Sequence, residues 1–163
     1  MFLRTASERD LPAVRDLLVE TWHATYDSIY GVDKVSEITD EWHSIPSLKA
    51  RLARPNSEFV VADDGKSLGG MAYAAGTSDP KIVILHQLYV RPTLQRSGLG
   101  RLLLEEIEDS FPDARMLRLE VEAQNLPAIA FYRRNGFEPR GEVANCGGSR
   151  FAIPALVYEK RLD

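Results

Sequence analysis

The stretch Ile82-Val83-Ile84-Leu85-His86-Gln87-Leu88-Tyr89-Val90-Arg91-Pro92, followed shortly by Gln95-Arg96-Ser97-Gly98-Leu99-Gly100, decides how the rest of the chain is read. Its first part is rich in β-branched and aromatic residues and stops at Arg91-Pro92, so it predicts a largely buried central strand. The glycine segment then opens Leu99, Leu102, Leu103, Leu104 and Ile107, whose spacing is helical as far as Ser110, before Phe111-Pro112 ends the run. A strand that runs into Gly98-x-Gly100 and a helix start can bind phosphates, because glycine lets the backbone approach closely and the first helical N–H groups point at the anion. A bare Gly-x-Gly is more often a turn that simply starts a helix. Two specific alternatives fail: a dinucleotide fingerprint needs a further glycine where Leu103 stands, and a Walker loop needs Gly-Lys-Ser/Thr.

Working outward, Phe2 to Thr5 reads as a short strand, and Ser7 with Asp10 as a helix-start signal. Leu11, Val14, Leu17, Leu18 and Trp22 predict an amphipathic helix to about the low twenties. Short helices are expected over Val32 to Ile38 and Ser47 to Ala53. Glu58 to Asp63 and Ser67 to Ala75 read as a hairpin joined at Asp64-Gly65, with a bulge at Gly69-Gly70. Met116 to Glu122 alternates as a strand, with Leu117, Leu119 and Val121 on one face and Arg118, Glu120 and Glu122 on the other. A helix from Pro127 to Arg134 should stop at Asn135-Gly136. Phe137 to Val143 and Arg150 to Lys160 read as closing strands around a turn at Asn145-Cys146-Gly147-Gly148. The order predicts an α/β fold, a mixed sheet with helices on both faces, in a single domain spanning 1–163.

The chain has 163 residues, 44% of them hydrophobic and 27% charged, which suits one globular core. A net charge of −4 offers no broad basic face, so nucleic acid is not an expected partner. No run reaches the roughly eighteen apolar residues of a membrane span, and the N-terminus lacks a signal-peptide pattern, so the expected location is cytoplasmic. Cys146 is the only cysteine, which excludes an internal disulfide; in a glycine-rich turn without a nearby histidine it reads as incidental rather than as a nucleophile. His23 and His43 lack further ligands at matching spacing, so no metal is expected.

Four segments in fixed order carry a resemblance: Leu88-Tyr89-Val90-Arg91-Pro92, Gln95-x-x-Gly98-x-Gly100, Leu119-Glu120-Val121-x-x-x-Asn125 and Ala130-Phe131-Tyr132-x-x-x-Gly136-Phe137. The chain resembles the GCN5-related N-acetyltransferase (GNAT) superfamily, specifically over residues 82 to 138. The resemblance implies a mostly antiparallel central sheet whose two central strands splay apart, and acetyl-CoA as cosubstrate. It implies that backbone groups of Leu88, Tyr89 and Val90 pair with the pantetheine arm as an added strand would, that Gln95 belongs to the cosubstrate-binding segment, and that the amides of Arg96, Ser97, Gly98, Leu99, Gly100 and Arg101 hold the pyrophosphate. Asn125 would hydrogen-bond the cosubstrate, and Tyr132 would lie near its sulfur. The resemblance alone allows a homodimer.

An alkylamine is mostly protonated at neutral pH and must lose a proton before it attacks a thioester, while the departing thiolate needs a hydrogen bond or a proton. Tyr132 can donate to the sulfur. For the base there are three residues, with water as a fourth route. Glu120 matches the proton acceptor of the ribosomal-protein N-terminal acetyltransferases, five residues before the asparagine. Glu122 shares its face, and His86 shares the parity of Leu88. Many relatives carry a glutamate four residues before the Leu of Leu-Tyr-Val, where this chain has Ile84. The acceptor reads as a small-molecule amine or a peptide N-terminus. Trp22, Tyr26, Tyr30 and Trp42 with Asp27, Asp33, Glu37, Asp40 and Glu41 suit a cation, against the alternative of core aromatics and a solvated acidic face. A catalytically silent acyl-CoA-binding or sensor module is the competing reading, motivated by Ile84.

Overall fold

The computed structural model describes residues 1–143 and 151–163; the expected turn at Asn145 to Gly148, with Cys146, lies outside the described residues. Among the described residues seven strands form one sheet: β1 (Phe2–Thr5), β2 (Ser57–Asp63), β3 (Leu68–Gly76), β4 (Ile82–Val90), β5 (Met116–Glu122), β6 (Glu138–Val143) and β7 (Ala155–Arg161). Their spatial order is β1-β2-β3-β4-β5-β7-β6, antiparallel throughout except for the β4–β5 pair. Five described α-helices accompany it: α1 (Leu11–Tyr30), α2 (Val32–Trp42), α3 (Ile45–Ala53), α4 (Leu99–Ser110) and α5 (Leu126–Arg134).

Each face of the sheet has its own core. Leu99, Leu103, Leu104 and Ile107 of α4 and Tyr132 of α5 pack on Ala72, Ala74, Val83, Leu85, Leu117, Leu119 and Val121. On the opposite face, Leu11, Val14, Leu17 and Leu18 of α1 and Leu48 of α3 pack on Phe59, Val61, Met71 and Tyr73. Burying a side chain such as Leu103, which is 0% exposed, contributes about 1.5–3 kcal/mol.

The helix start at Ser7 is a short 3-10 turn in which Asp10 Oδ2 accepts the Ser7 N–H at 2.8 Å. The helix then runs well past the low twenties. Thr21, Trp22 and Tyr26 continue its buried stripe, and Gly31, at φ +86°, ends it and starts α2. Gly69 is the extra residue of the expected bulge, since Ala62 pairs with Gly70 and Asp63 with Leu68. Gly136 closes α5 with φ +94°.

Candidate active site

β4 and β5 are paired from Ile82 opposite Met116 to Leu85 opposite Leu119 and no further. Beyond that point β4 stays bonded to β3 as far as Val90 opposite Gly70, while β5 stays bonded to β7 as far as Glu122 opposite Ala155. Each strand is therefore claimed by its antiparallel neighbour, and a wedge opens between them. The β5-facing backbone edge of Leu88, Tyr89 and Val90 has no strand beside it among the described residues, a geometry that accepts an added extended chain.

α4 begins at the mouth of this wedge. Gly98 caps it in the left-handed region, at φ +89°, and Arg96 is also left-handed, at φ +64°. The first helical bond runs from Leu102 N to Gly98 O at 3.2 Å, so the amides of Leu99, Gly100 and Arg101 precede it and carry the positive end of the helix dipole. Ser97 Oγ donates to the Leu94 carbonyl, and Gln95 Nε2 donates to the Val90 carbonyl at 3.1 Å, tying the loop to the end of β4. The side chains of Arg96 and Arg101 are exposed there. Gly100 has a different reason to lack a side chain: a Cβ would lie 3.1 Å from Phe131 of α5. The backbone edge, the run of free amides and the two exposed arginines together suit a thioester carried on a pyrophosphate-bearing arm.

At the far side of the wedge Asn125 caps α5, accepting from Ala128 N at 3.3 Å, and its Nδ2 donates to the Tyr26 hydroxyl at 3.1 Å. Tyr132 is buried between Phe131 and Phe137, at ring-centroid distances of 5.3 and 5.4 Å. Burial, and then the neighbouring Tyr89 phenol, push its pKa up, so it keeps its proton at physiological pH. Burial likewise raises Tyr26, with Tyr89, Glu122 and Tyr132 adding to the effect. Tyr26, Tyr89, Tyr132 and Glu122 thus share one neighbourhood at the open end of the wedge.

The three base candidates separate. Glu120 is exposed, on the face opposite Leu119 and Val121, immediately past the last β4–β5 pair. Glu122 is buried and committed: its Oε1 accepts from the Tyr30 hydroxyl and its Oε2 from the Gln124 N–H, both at 2.8 Å. His86 does not share the face of Leu88. The register jumps from Tyr73 opposite Gln87 to Ala74 opposite Leu85, so His86 is the extra residue of a β-bulge and turns toward Tyr73, ring centroids 5.7 Å apart. Its pKa falls to about 4, through the protein packed around the ring and then the charges of Arg54 and Arg51, which makes it a weak acceptor for an amine's proton.

The aromatic and acidic residues of α1 and α2 also divide. Trp22 and Tyr26 are core, as the alternative reading held. Asp27 pairs with His23 at 2.6 Å and Asp40 with Arg15 at 2.7 Å. Tyr30, Asp33, Lys34, Glu37 and Phe151 line a shallow cavity at the α1–α2 corner, where the Lys34 ammonium stands 4.8 Å from the Tyr30 ring centroid. His43 accepts on Nδ1 from Arg51 at 3.2 Å. The sequence reading missed the Tyr26–Asn125 and Tyr30–Glu122 bonds; the one signal for them was the helical spacing that puts both tyrosines on one stripe. No described helix is long and apolar enough to cross a membrane. Among the described residues no three His, Cys, Asp or Glu side chains form a metal-holding group.

Two parallel strands that diverge beside a glycine-started helix, in a sheet of this order, are the arrangement of the superfamily that the sequence resembles. The profile of the Acetyltransferase (GNAT) family matches residues 11–137. The chain is 31% identical over 138 residues to the peptidyl-lysine N-acetyltransferase YiaC of Escherichia coli strain K12, covering 83% of this chain and 82% of that one. It is 29% identical over 169 residues to the spermidine N(1)-acetyltransferase of Thermoplasma acidophilum, covering 99% and 97%. Among solved structures it superposes on the PaiA N-acetyltransferase of Thermoplasma acidophilum in complex with coenzyme A, with a TM-score of 0.85 and 24% identity over 99% of this chain and 98% of that one. The chain belongs to the GNAT acetyltransferase family, and is an acyltransferase with acetyl-CoA as its donor.

Proposed function

We propose that this chain moves the acetyl group of acetyl-CoA to a primary amine, on a small molecule or a peptide N-terminus, by direct attack within a ternary complex. The observation that carries this reading is the divergence of β4 and β5 after Leu85 and Leu119, which leaves a wedge between the two strands. In this reading the donor lies along the edge of Leu88, Tyr89 and Val90. Its pyrophosphate meets the amides and side chains from Gln95 to Arg101, and Asn125 turns its Nδ2 from Tyr26 to the donor's arm. The bound thioester supplies the carbonyl carbon that the amine attacks. Glu120, at the apex of the wedge and in contact with solvent, takes the amine's proton directly or through water. Tyr132 holds its proton beside the leaving sulfur and donates to it as negative charge develops. The amine class is supported by the relatives, which are named for peptidyl-lysine and spermidine.

The test is thiol release from acetyl-CoA over a panel of amines and N-terminal peptides. Transfer to at least one amine, with intersecting initial-rate patterns, is expected. A burst of thiol without acceptor, or ping-pong kinetics, would overturn direct attack.

A further inference from the structure

Beneath α3, on the face of the sheet away from α4, lies a cleft of about 230 Å³ lined by Ala50, Arg51, Arg54, Tyr73, His86 and Gln87. Its lining holds two arginines and no carboxylate, although the chain as a whole carries a net charge of −4. Arg51 donates to the Trp42 carbonyl and to His43 Nδ1, which fixes its guanidinium in place. Arg54 is exposed just past the end of α3, and no described carboxylate pairs with it.

Two buried atoms of this lining, Tyr73 Oη and Gln87 Oε1, have no hydrogen-bond partner among the described residues. Both belong to residues placed by the bulge. Tyr73 and Gln87 are opposite one another across β3 and β4, and the extra residue His86 brings two successive β4 side chains to this face. Buried polar atoms without partners are costly enough that each calls for an occupant or a role. An apolar occupant would leave both unsatisfied, and a cation would face two arginines. An oxyanion accepts from both guanidinium groups and from the Tyr73 hydroxyl. The Gln87 amide, whose oxygen and nitrogen have the same shape, then turns to donate its N–H. The last carbonyls of α3 lie on the same side and oppose an anion, but a helix end carries only about half a charge against the full charges of the arginines.

We infer that this cleft is a binding site for a small oxyanion, a carboxylate or a phosphate group, held by Arg51, Arg54, Tyr73 and Gln87. His86 directly follows Leu85, the last β4 residue paired with β5, so the cleft opens beside the apex of the wedge and on the same face as Glu120. The anion is therefore either carried on a molecule bound in the wedge or free. The site itself does not depend on the acetyl-transfer reading.

The test follows the histidine ring resonances by NMR while inorganic phosphate, and separately acetate, replaces chloride at pH 7 and constant ionic strength. The His86 signals should shift and saturate. Arg54→Gln, at an exposed position, should weaken binding at least about tenfold, as loss of a charge-assisted contact does. Tyr73→Phe should weaken it several-fold without lowering the Tm, because no partner of the hydroxyl is lost in the free protein. Arg140→Gln, on β6, should titrate like the wild type. Repeating the titration with β-alanine and with its amide separates the sources: movement of both His86 and the Glu120 amide by the amino acid alone marks a carboxylate borne on the acceptor, and movement of His86 alone marks a free anion. A His86 response that never saturates, or one that is the same in Arg54→Gln, would overturn the site. So would unchanged affinity with a lowered Tm in Tyr73→Phe, which would mean that the cleft holds water only.

Discussion

Glu120 and Glu122 lie two residues apart on one face of β5, yet the protein treats them in opposite ways. Glu122 is buried and uses both carboxylate oxygens on the Tyr30 hydroxyl and the Gln124 amide, so it is committed to structural contacts. Glu120 is exposed at the point where the strands part, which is where the proposed direct attack would release the amine's proton. Glu120→Gln should therefore slow transfer by about 10²-fold or more at neutral pH, with the deficit shrinking as pH rises toward the amine's own pKa near 10. A log-rate profile parallel to the wild type from pH 6 to 10 would remove Glu120 from the role. Tyr132 calls for a different signature. Its phenol is held protonated by burial, so Tyr132→Phe should lower kcat by about 10²-fold with CoA affinity nearly unchanged, measured by calorimetry beside initial rates. A loss of affinity that matches the loss of kcat would mean that the ring only shapes the pocket.

At the scale of elements, the start of α4 and the end of α2 each make a measurable claim. Gly98 has open space where a Cβ would stand but a φ of +89°, so Gly98→Val should cost about 1–3 kcal/mol in strain and abolish CoA binding by covering the helix start. Normal affinity in that variant would contradict a pyrophosphate at this position. His43 caps α2 and is buried, with Arg51 donating to its Nδ1, and burial holds its pKa near 3, well below the ordinary value of 6.5. The unfolded chain therefore takes up the proton first. Stability is full above about pH 6.5 and falls as pH drops through the window down to about 3, at up to about 1.4 kcal/mol per unit. In a His86→Gln background, where the second depressed imidazole is silent, His43→Gln should flatten that slope in urea unfolding; an equally steep slope would sink the assignment. These elements also show what was legible beforehand. β4, α4, β5 and α5 could be read because period, caps and glycines are local. The expected α1 stops short of the observed end because the burial of Tyr26, which continues its stripe, depends on Val35 and Ile38 of α2. The bulge at His86 left no mark, since a register shift is a relation between β3 and β4 and parity counted along one strand cannot detect it.

Across the whole molecule, the wedge raises a problem of cohesion. The sheet's two halves, β1 to β4 with α1, α2 and α3 on one side and β5 to β7 with α5 on the other, share a ladder only from Ile82–Met116 to Leu85–Leu119. At the open end they are joined on one face by α4, whose Gly100 lies against Phe131 of α5, and on the other by the last turns of α1, through Tyr26 to Asn125 and Tyr30 to Glu122. The bond to Glu122 should be the stronger, because its acceptor is a buried carboxylate whose one further partner among the described residues is the Gln124 amide. Tyr30→Phe should then cost about 1.5–3 kcal/mol, and Tyr26→Phe, which removes a bond to a neutral amide, about 0.5–1.5 kcal/mol. A double-mutant cycle distinguishes the bond from simple packing. In a Glu122→Gln background the charge is gone, so Tyr30→Phe should cost at least about 0.5 kcal/mol less than in the wild type, whereas loss of ring packing would cost the same in both. Urea unfolding of the four proteins provides the measurement. If the tyrosines set the width of the opening, the same cycle should also appear in the dissociation constant for CoA, because a wedge released at its open end must be ordered again when the donor binds. A cycle that closes to zero in both stability and CoA affinity would leave α1 as a lid that rests on the β5–α5 corner without holding it.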